Sequence, residues 1–214
     1  MIRTTRHIEV SMIRMNIHIR GYTMTKWKVG KIEPFWDEQY KDLNYIKEPF
    51  NDQDKVDVWR EEGYVHPEYL YTGQMCKHGE KHPTWSPKIV EWLEKDFGWK
   101  DVGVNYYRME TGCILPLHGD IYKQYTEMFN ITLDQVERVL LFMEDWRSGH
   151  YFEVDGNPIM DYKAGTYAWW IGDVEHMAAN IGKGYRYTLQ LTGCLLYTSP
   201  SPRDRTRSRM PSSA

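Results

Sequence analysis

From residue 102 to residue 193 the sequence is broken into short runs: VGVNYYRM, CILPLHG, VERVLLFME, HYFEV, PIMDY, TYAWWI and RYTLQLTG. Each run is rich in β-branched and aromatic residues, and Gly, Asp, Asn or Pro separates it from the next. Runs of this length suit strands and are too interrupted for long helices, so they predict a sandwich or barrel. IYKQYTEMFNI, between two of them, predicts a helix. No internal repeat or linker divides the chain, so the reading is mainly β with flanking helices that buttress one core.

Upstream, 24–100 reads as a scaffold of helices and loops. DQDKVDVWREEG holds helix formers closed by Gly63. In SPKIVEWLEKDFGW, Ser86 is placed to cap the helix, Pro87 to start it and Gly98 to stop it. Ile89, Val90, Leu93 and Phe97 have the spacing of one buried face. CKHGEKH offers Cys76, His78 and His82, half of a zinc set, but a fourth ligand is missing and its Gly, Lys and Glu read as a solvated loop.

The 214 residues are 41% hydrophobic and 14% aromatic, enough to bury a core. The net charge of −3 conceals two basic ends, each with four Arg and one acid; without them 24–193 holds 19 basic and 28 acidic residues, a net of −9. An acidic body argues against nucleic acid, which needs clustered Lys and Arg, and points to basic partners or small molecules. No window has the roughly 20 apolar residues of a membrane span, and the start has no signal-type apolar region. With Cys76, Cys113 and Cys194 in no paired spacing, a reducing, cytoplasmic setting is expected.

The two ends differ in style from the body. Residues 1–23 are expected to be an upstream or disordered extension, with Met24 opening the Trp-rich, acidic body. Residues 194–214, CLLYTSPSPRDRTRSRMPSSA, have no periodicity and resemble a translated sequencing adapter. The expectation is a disordered tail, with the fold ending near Gly193 and Cys194 carrying no chemistry. Residues 101–193 are then the β-core.

Within the core, PLHGDIY sets His118 and Asp120 two residues apart, a spacing that aims both side chains to one face of a strand. A lone His-x-Asp is ordinarily a surface or turn pair. Fifty-six residues after Asp120, GDVEHMAAN supplies His176. Two His and one carboxylate can form the facial triad of a non-haem Fe(II) site, with three positions left open. The spacing also fits a metal-binding jelly roll of another kind, or a structural core histidine. In YRYTLQLTG, alternation puts Arg186, Thr188 and Gln190 on one face and Tyr187, Leu189 and Leu191 on the other. An inward guanidinium needs an anion, and Arg186 with the Thr188 hydroxyl suits a carboxylate. A salt bridge to an acid of the barrel is the alternative.

His118-Gly119-Asp120, His176 and Arg186-x-Thr188 resemble, in order and spacing, the HxD…H…RxS/T pattern of Fe(II)/2-oxoglutarate-dependent oxygenases. The run from Arg138 to Gly193 is similar to small phage and bacterial members near the aspartyl/asparaginyl/prolyl hydroxylase branch. The resemblance implies a double-stranded β-helix (jelly roll, cupin-like) core. It implies His118, Asp120 and His176 as iron ligands, and Arg186 with Thr188 on the distal carboxylate of 2-oxoglutarate. It also implies hydroxylation of a C–H bond by dioxygen, the first substrate class being an amino acid or peptidyl side chain, and a phage-encoded setting in a host cytoplasm. Arg138, Tyr106 or Tyr107, His150 and Asn180 are further candidates for touching cosubstrate or substrate, and each fits a core or rim position equally well. Trp169 and Trp170 straddle a strand, one ring in and one out, as core packing. The rival readings are a cupin-like metal protein without 2-oxoglutarate, acting as isomerase or sensor, and a non-catalytic interaction module.

Overall fold

Among the described residues eleven strands, β1 Trp27–Lys31, β2 Tyr45–Lys47, β3 Gln74–Cys76, β4 Lys100–Met109, β5 Cys113–His118, β6 Val136–Phe142, β7 His150–Val154, β8 Asn157–Pro158, β9 Thr166–Ile171, β10 His176–Asn180 and β11 Arg186–Cys194, form two antiparallel sheets. The large sheet has the order β1-β9-β6-β11-β4-β3-β2 and the small one β5-β10-β7-β8. From β4 onward the chain crosses between the sheets at nearly every connection, so β9-β6-β11-β4 lies over β5-β10-β7-β8. This is the double-stranded β-helix. The computed structural model describes residues 25–47, 50, 52–67, 73–76 and 81–194. The expectations for 1–23, for 195–214 and for His78 lie outside the described residues.

The large sheet is buried on both faces, which is why β6, VERVLLF, reads as a nearly continuous apolar run. Its inner face packs Met109, Leu140, Phe142, Ala168 and Trp170 against Leu115, Phe152, Val154 and Ala178 of the small sheet. Its outer face gathers Tyr106, Val139, Leu141, Leu189 and Leu191 with Ile89 and Leu93. Those two leucine-type anchors come from helix α2, Ser86–Phe97; α1 is Gln53–Glu61 and α3 is Lys123–Phe129.

Helix α2 ends at Gly98, whose φ of 68° is the left-handed stop that glycine favours. Its start differs from the expectation. Trp85 occupies the cap, and Ser86 sits in the first turn with its hydroxyl bonded to that of Tyr106. The pull of a buried phenol partner outweighs the capping preference. Helix α1 is capped by Asp52, which accepts from Lys55 N at 3.1 Å, and its buried Trp59 donates Nε1–H to Leu117 O at 2.9 Å. That bond clamps α1 beside the strand that ends in His118.

The region 24–100 contributes more than helices and loops. β1 pairs along its whole length with β9, and β2 and β3 extend the opposite edge. Strands of three to five residues carry too few positions for alternation to show in the sequence. Conversely, PIMDY is mostly a turn: only Pro158 remains in β8, Ile159 N donates to Phe152 O, and Asp161 turns the chain at φ 53°. At the far end β11 extends one residue past Gly193, because Cys194 is buried and paired with Val136 and Lys100. None of the three cysteines forms a disulfide. Among the described residues no helix is long and apolar enough to cross a membrane.

Candidate metal centre

His118 is the last residue of β5 and His176 the first of β10, and the two are direct partners in the antiparallel ladder. Their rings lie 4.4 Å apart between centroids. Asp120 returns to the same point after Gly119, where a Cβ would stand 2.5 Å from Asp173 O; only glycine lets the chain pass that loop so closely. Candidate ligand atoms of the three residues all lie within 4.8 Å of one another, and among the described residues no other such cluster exists.

Each imidazole is held in the same way. His118 Nδ1 lies 2.8 Å from Pro116 O and His176 Nδ1 lies 3.0 Å from Val174 O. A carbonyl can only accept, so both Nδ1 atoms carry the proton and both Nε2 lone pairs are left free. Those Nε2 atoms face Asp120, at 3.7 Å from Oδ1 for His118 and 3.9 Å from Oδ2 for His176. The gaps are too long for hydrogen bonds and short enough for one ion to touch all three groups.

Burial and the neighbouring His176 push His118 down to about 4, against the opposing pull of Asp120. Burial also lowers His176, again opposed by Asp120. Burial alone would raise Asp120, but Arg138 and the two imidazoles hold it well below the usual carboxylate range. At neutral pH the cluster therefore presents two neutral imidazoles and one carboxylate, the donor set that suits Fe(II) and similar divalent ions.

The inner face of β11 carries the second half of the site. Arg186 is 2% exposed and Thr188 1%. The Arg186 guanidinium lies 5.4 Å from the Phe142 ring and 5.7 Å from the Phe152 ring, and its Nη1 points at Met109 Sδ, 3.6 Å away. Among the described residues no carboxylate pairs with it: its Nε and Nη2 are left without a hydrogen-bond partner, and its polar neighbour Tyr162 is a phenol that burial keeps neutral. Thr188 Oγ1 and His150 Nε2 are buried and unpartnered as well. His150 shares the inner face of β7 with Phe152, whose ring lies 6.3 Å from His176. One phenyl ring thus separates the histidine pair from the guanidinium. Trp170 completes the wall, 4.8 Å from His176, with Nε1 buried and without a partner.

The remaining candidates fall elsewhere. Arg138 faces inward, but all three guanidinium nitrogens are engaged: Nη2 donates to Asp120 Oδ2 at 2.9 Å, Nη1 to Thr192 Oγ1 at 2.7 Å and Nε to Tyr122 Oη at 3.2 Å. It stands beside the carboxylate of the triad. Tyr106 lies on the outer face of β4 with Ser86, Trp85 and His82, while Tyr107 turns inward opposite Thr188. Asn180 is consumed structurally, donating to Met109 O and Gly184 O and accepting from Gly182 N. Trp170 points in and Trp169 out, where its Nε1 donates to Glu137 at 2.7 Å. Tyr122 was not foreseen, because only the Arg138 geometry brings it to the site. Alternation along VERVLLF does, however, place Arg138 on the inner side with Leu140 and Phe142.

No family profile matches the chain, and no curated protein does. Solved structures with a similar course include a Pseudomonas putida prolyl-4-hydroxylase, at 13% identity and TM-score 0.43 over 73% of this chain and 95% of that one. A 2OG-Fe(II) oxygenase family oxidoreductase from Burkholderia pseudomallei gives 14% and 0.43 over 72% and 75%. A predicted oxalate decarboxylase from Thermotoga maritima gives 12% and 0.35 over 57% and 81%. At these scores the likenesses carry no argument about chemistry, which rests on the side chains.

Proposed function

We propose that this chain is an Fe(II)- and 2-oxoglutarate-dependent oxygenase that hydroxylates a C–H bond. The observation that carries the reading is Arg186: a guanidinium 2% exposed, with two nitrogens unpartnered, one phenyl ring away from a His/Asp/His cluster. A charge buried without an anion costs several kcal/mol, of order 3–5, so a missing anionic ligand is the economical explanation. A dicarboxylate that reaches the triad at one end would bring its other carboxylate to this guanidinium.

Bound at the triad, iron would supply the oxidising chemistry, with 2-oxoglutarate and dioxygen consumed and succinate and carbon dioxide released. The chain's own residues do the rest. His118, Asp120 and His176 would hold the ion through two imidazole nitrogens and a carboxylate. Arg186 and Thr188 grip the distal carboxylate, and neutral His150 donates from Nε2. Phe142, Phe152 and Trp170 exclude water between the two ends, which strengthens every polar contact there. The substrate class is an amino acid or peptidyl side chain, and the acidic body favours a basic one.

Anaerobic reconstitution with Fe(II), followed by addition of oxygen and 2-oxoglutarate, tests the reading. It predicts succinate formation that needs both iron and 2-oxoglutarate and rises with the right amino acid or peptide. Metal binding without any succinate would favour a cupin-like protein of other chemistry.

A further inference from the structure

We infer that Arg138 is a positioning residue for this centre, holding the Asp120 carboxylate in the orientation that turns one oxygen to each imidazole. The inference rests on the metal-site reading above and concerns how its carboxylate is held.

The geometry is specific. Oδ2 of Asp120 accepts from Arg138 Nη2 at 2.9 Å and lies 3.9 Å from His176 Nε2, while Oδ1 lies 3.7 Å from His118 Nε2. Arg138 itself cannot swing away. Its Nη1 is tied to Thr192 on the adjacent strand, its direct partner in the β6–β11 ladder, and its Nε to Tyr122. The Tyr122 ring also lies 4.9 Å from the guanidinium. Tyr122 stands two residues past Asp120 at φ 47°, a left-handed conformation that a bulky residue adopts only when its surroundings enforce it. One guanidinium therefore fixes the carboxylate and the turn that follows it. Three acceptors in three directions call for a planar fork, which a lysine ammonium does not provide.

The consequence is a carboxylate already turned to the imidazoles before a metal ion arrives. A carboxylate free to rotate would have to be ordered on binding, at a cost in affinity. Hydrogen-bonded partners of metal ligands characteristically change affinity by about 10–100-fold when removed.

The test uses Co(II) as a visible probe, titrated into wild type, Arg138→Met, Arg138→Lys, Thr192→Val and His118→Ala, with metal-free melting curves in parallel. Thr192→Val keeps the charge and the shape and frees one arm of the fork, so it and Arg138→Lys carry the test should Arg138→Met not fold. The expected result is a Co(II) dissociation constant raised about tenfold or more in Arg138→Met. A smaller rise is expected in Arg138→Lys and in Thr192→Val, and a change in the visible band in all three Arg138 and Thr192 variants that reports a displaced carboxylate. Wild-type constants and spectra in Arg138→Lys and Thr192→Val, with only the melting temperature lowered, would make Arg138 a structural residue and overturn the inference. Co(II) binding unaffected by His118→Ala would instead overturn the metal-site reading itself, and this inference with it.

Discussion

His118 and His176 stand directly opposite each other across the β5–β10 ladder, rings 4.4 Å apart, each with Nδ1 against the carbonyl two residues before it. Two buried imidazoles this close cannot both be charged, and neither helps the other to pack. The pair makes sense as ligands held ready by the sheet, with Asp120 closing the triangle. Replacing His118, Asp120 or His176 by alanine should therefore abolish the rise in melting temperature that Mn(II) gives the wild type, and succinate formation with it. Melting curves with and without Mn(II) check this; a full metal-induced rise in all three variants would show that the triad is not the metal site.

Arg186→Met should leave the metal-free protein as stable as the wild type or more stable by about 1–3 kcal/mol, because it replaces a buried, unpaired charge by an apolar chain of similar length. The same variant should raise the apparent KM for 2-oxoglutarate by roughly 10–100-fold, the value of a charge-assisted carboxylate contact. Urea denaturation and KM measurement check the two halves. A loss of several kcal/mol in the metal-free protein would mean that Arg186 has a structural partner.

His150 gives a pH signature. It is 3% exposed, and burial together with the Arg186 and Arg147 guanidiniums pushes its pKa down to about 4, with Glu144 opposing them. Above pH 6.5 the residue is neutral in both folded and unfolded chains and adds no pH dependence. As pH falls from 6.5 toward 4 the unfolded chain takes up a proton that the folded chain refuses, so stability is lost across that window. His150→Phe should lose roughly 2–3 kcal/mol less than wild type over this range. Denaturation at pH 7 and pH 4.5 compares them; parallel losses would show that His150 is not held neutral by the fold.

Gly119→Ala should disturb the centre without touching a ligand. Its Cβ would meet a backbone oxygen at 2.5 Å, and that oxygen belongs to the Asp173 loop that leads into His176. Overpacking of this kind costs about 1–3 kcal/mol. A lower melting temperature and weaker Mn(II) binding are expected together, and wild-type values of both would show that the loop yields freely.

The sequence made the centre legible because its chemistry is carried by short local patterns: His118-x-Asp120, a lone His176, and Arg186 alternating with Thr188 on one strand. The strand runs after Lys100 were legible for the same reason, since buried strands need β-branched and aromatic residues whatever their partners. What stayed hidden depends on contacts between distant segments. Tyr106 and Tyr107 are adjacent, and only the placement of α2 decides that Tyr106 faces Ser86 while Tyr107 faces Thr188. Nothing local in the sequence tells that the three guanidinium nitrogens of Arg138 meet Thr192, Tyr122 and Asp120. The short strands β1 to β3 were missed because so few residues take part in each.

The central claim is that the triad and Arg186 form one site for a metal-bound dicarboxylate. Isothermal titration of 2-oxoglutarate into the Mn(II)-loaded protein under anaerobic conditions tests it most directly. The account predicts one equivalent bound, with binding lost when Mn(II) is withheld and weakened roughly 10–100-fold in Arg186→Met. No heat of binding in the loaded wild type, or the same affinity with and without Arg186, would contradict it.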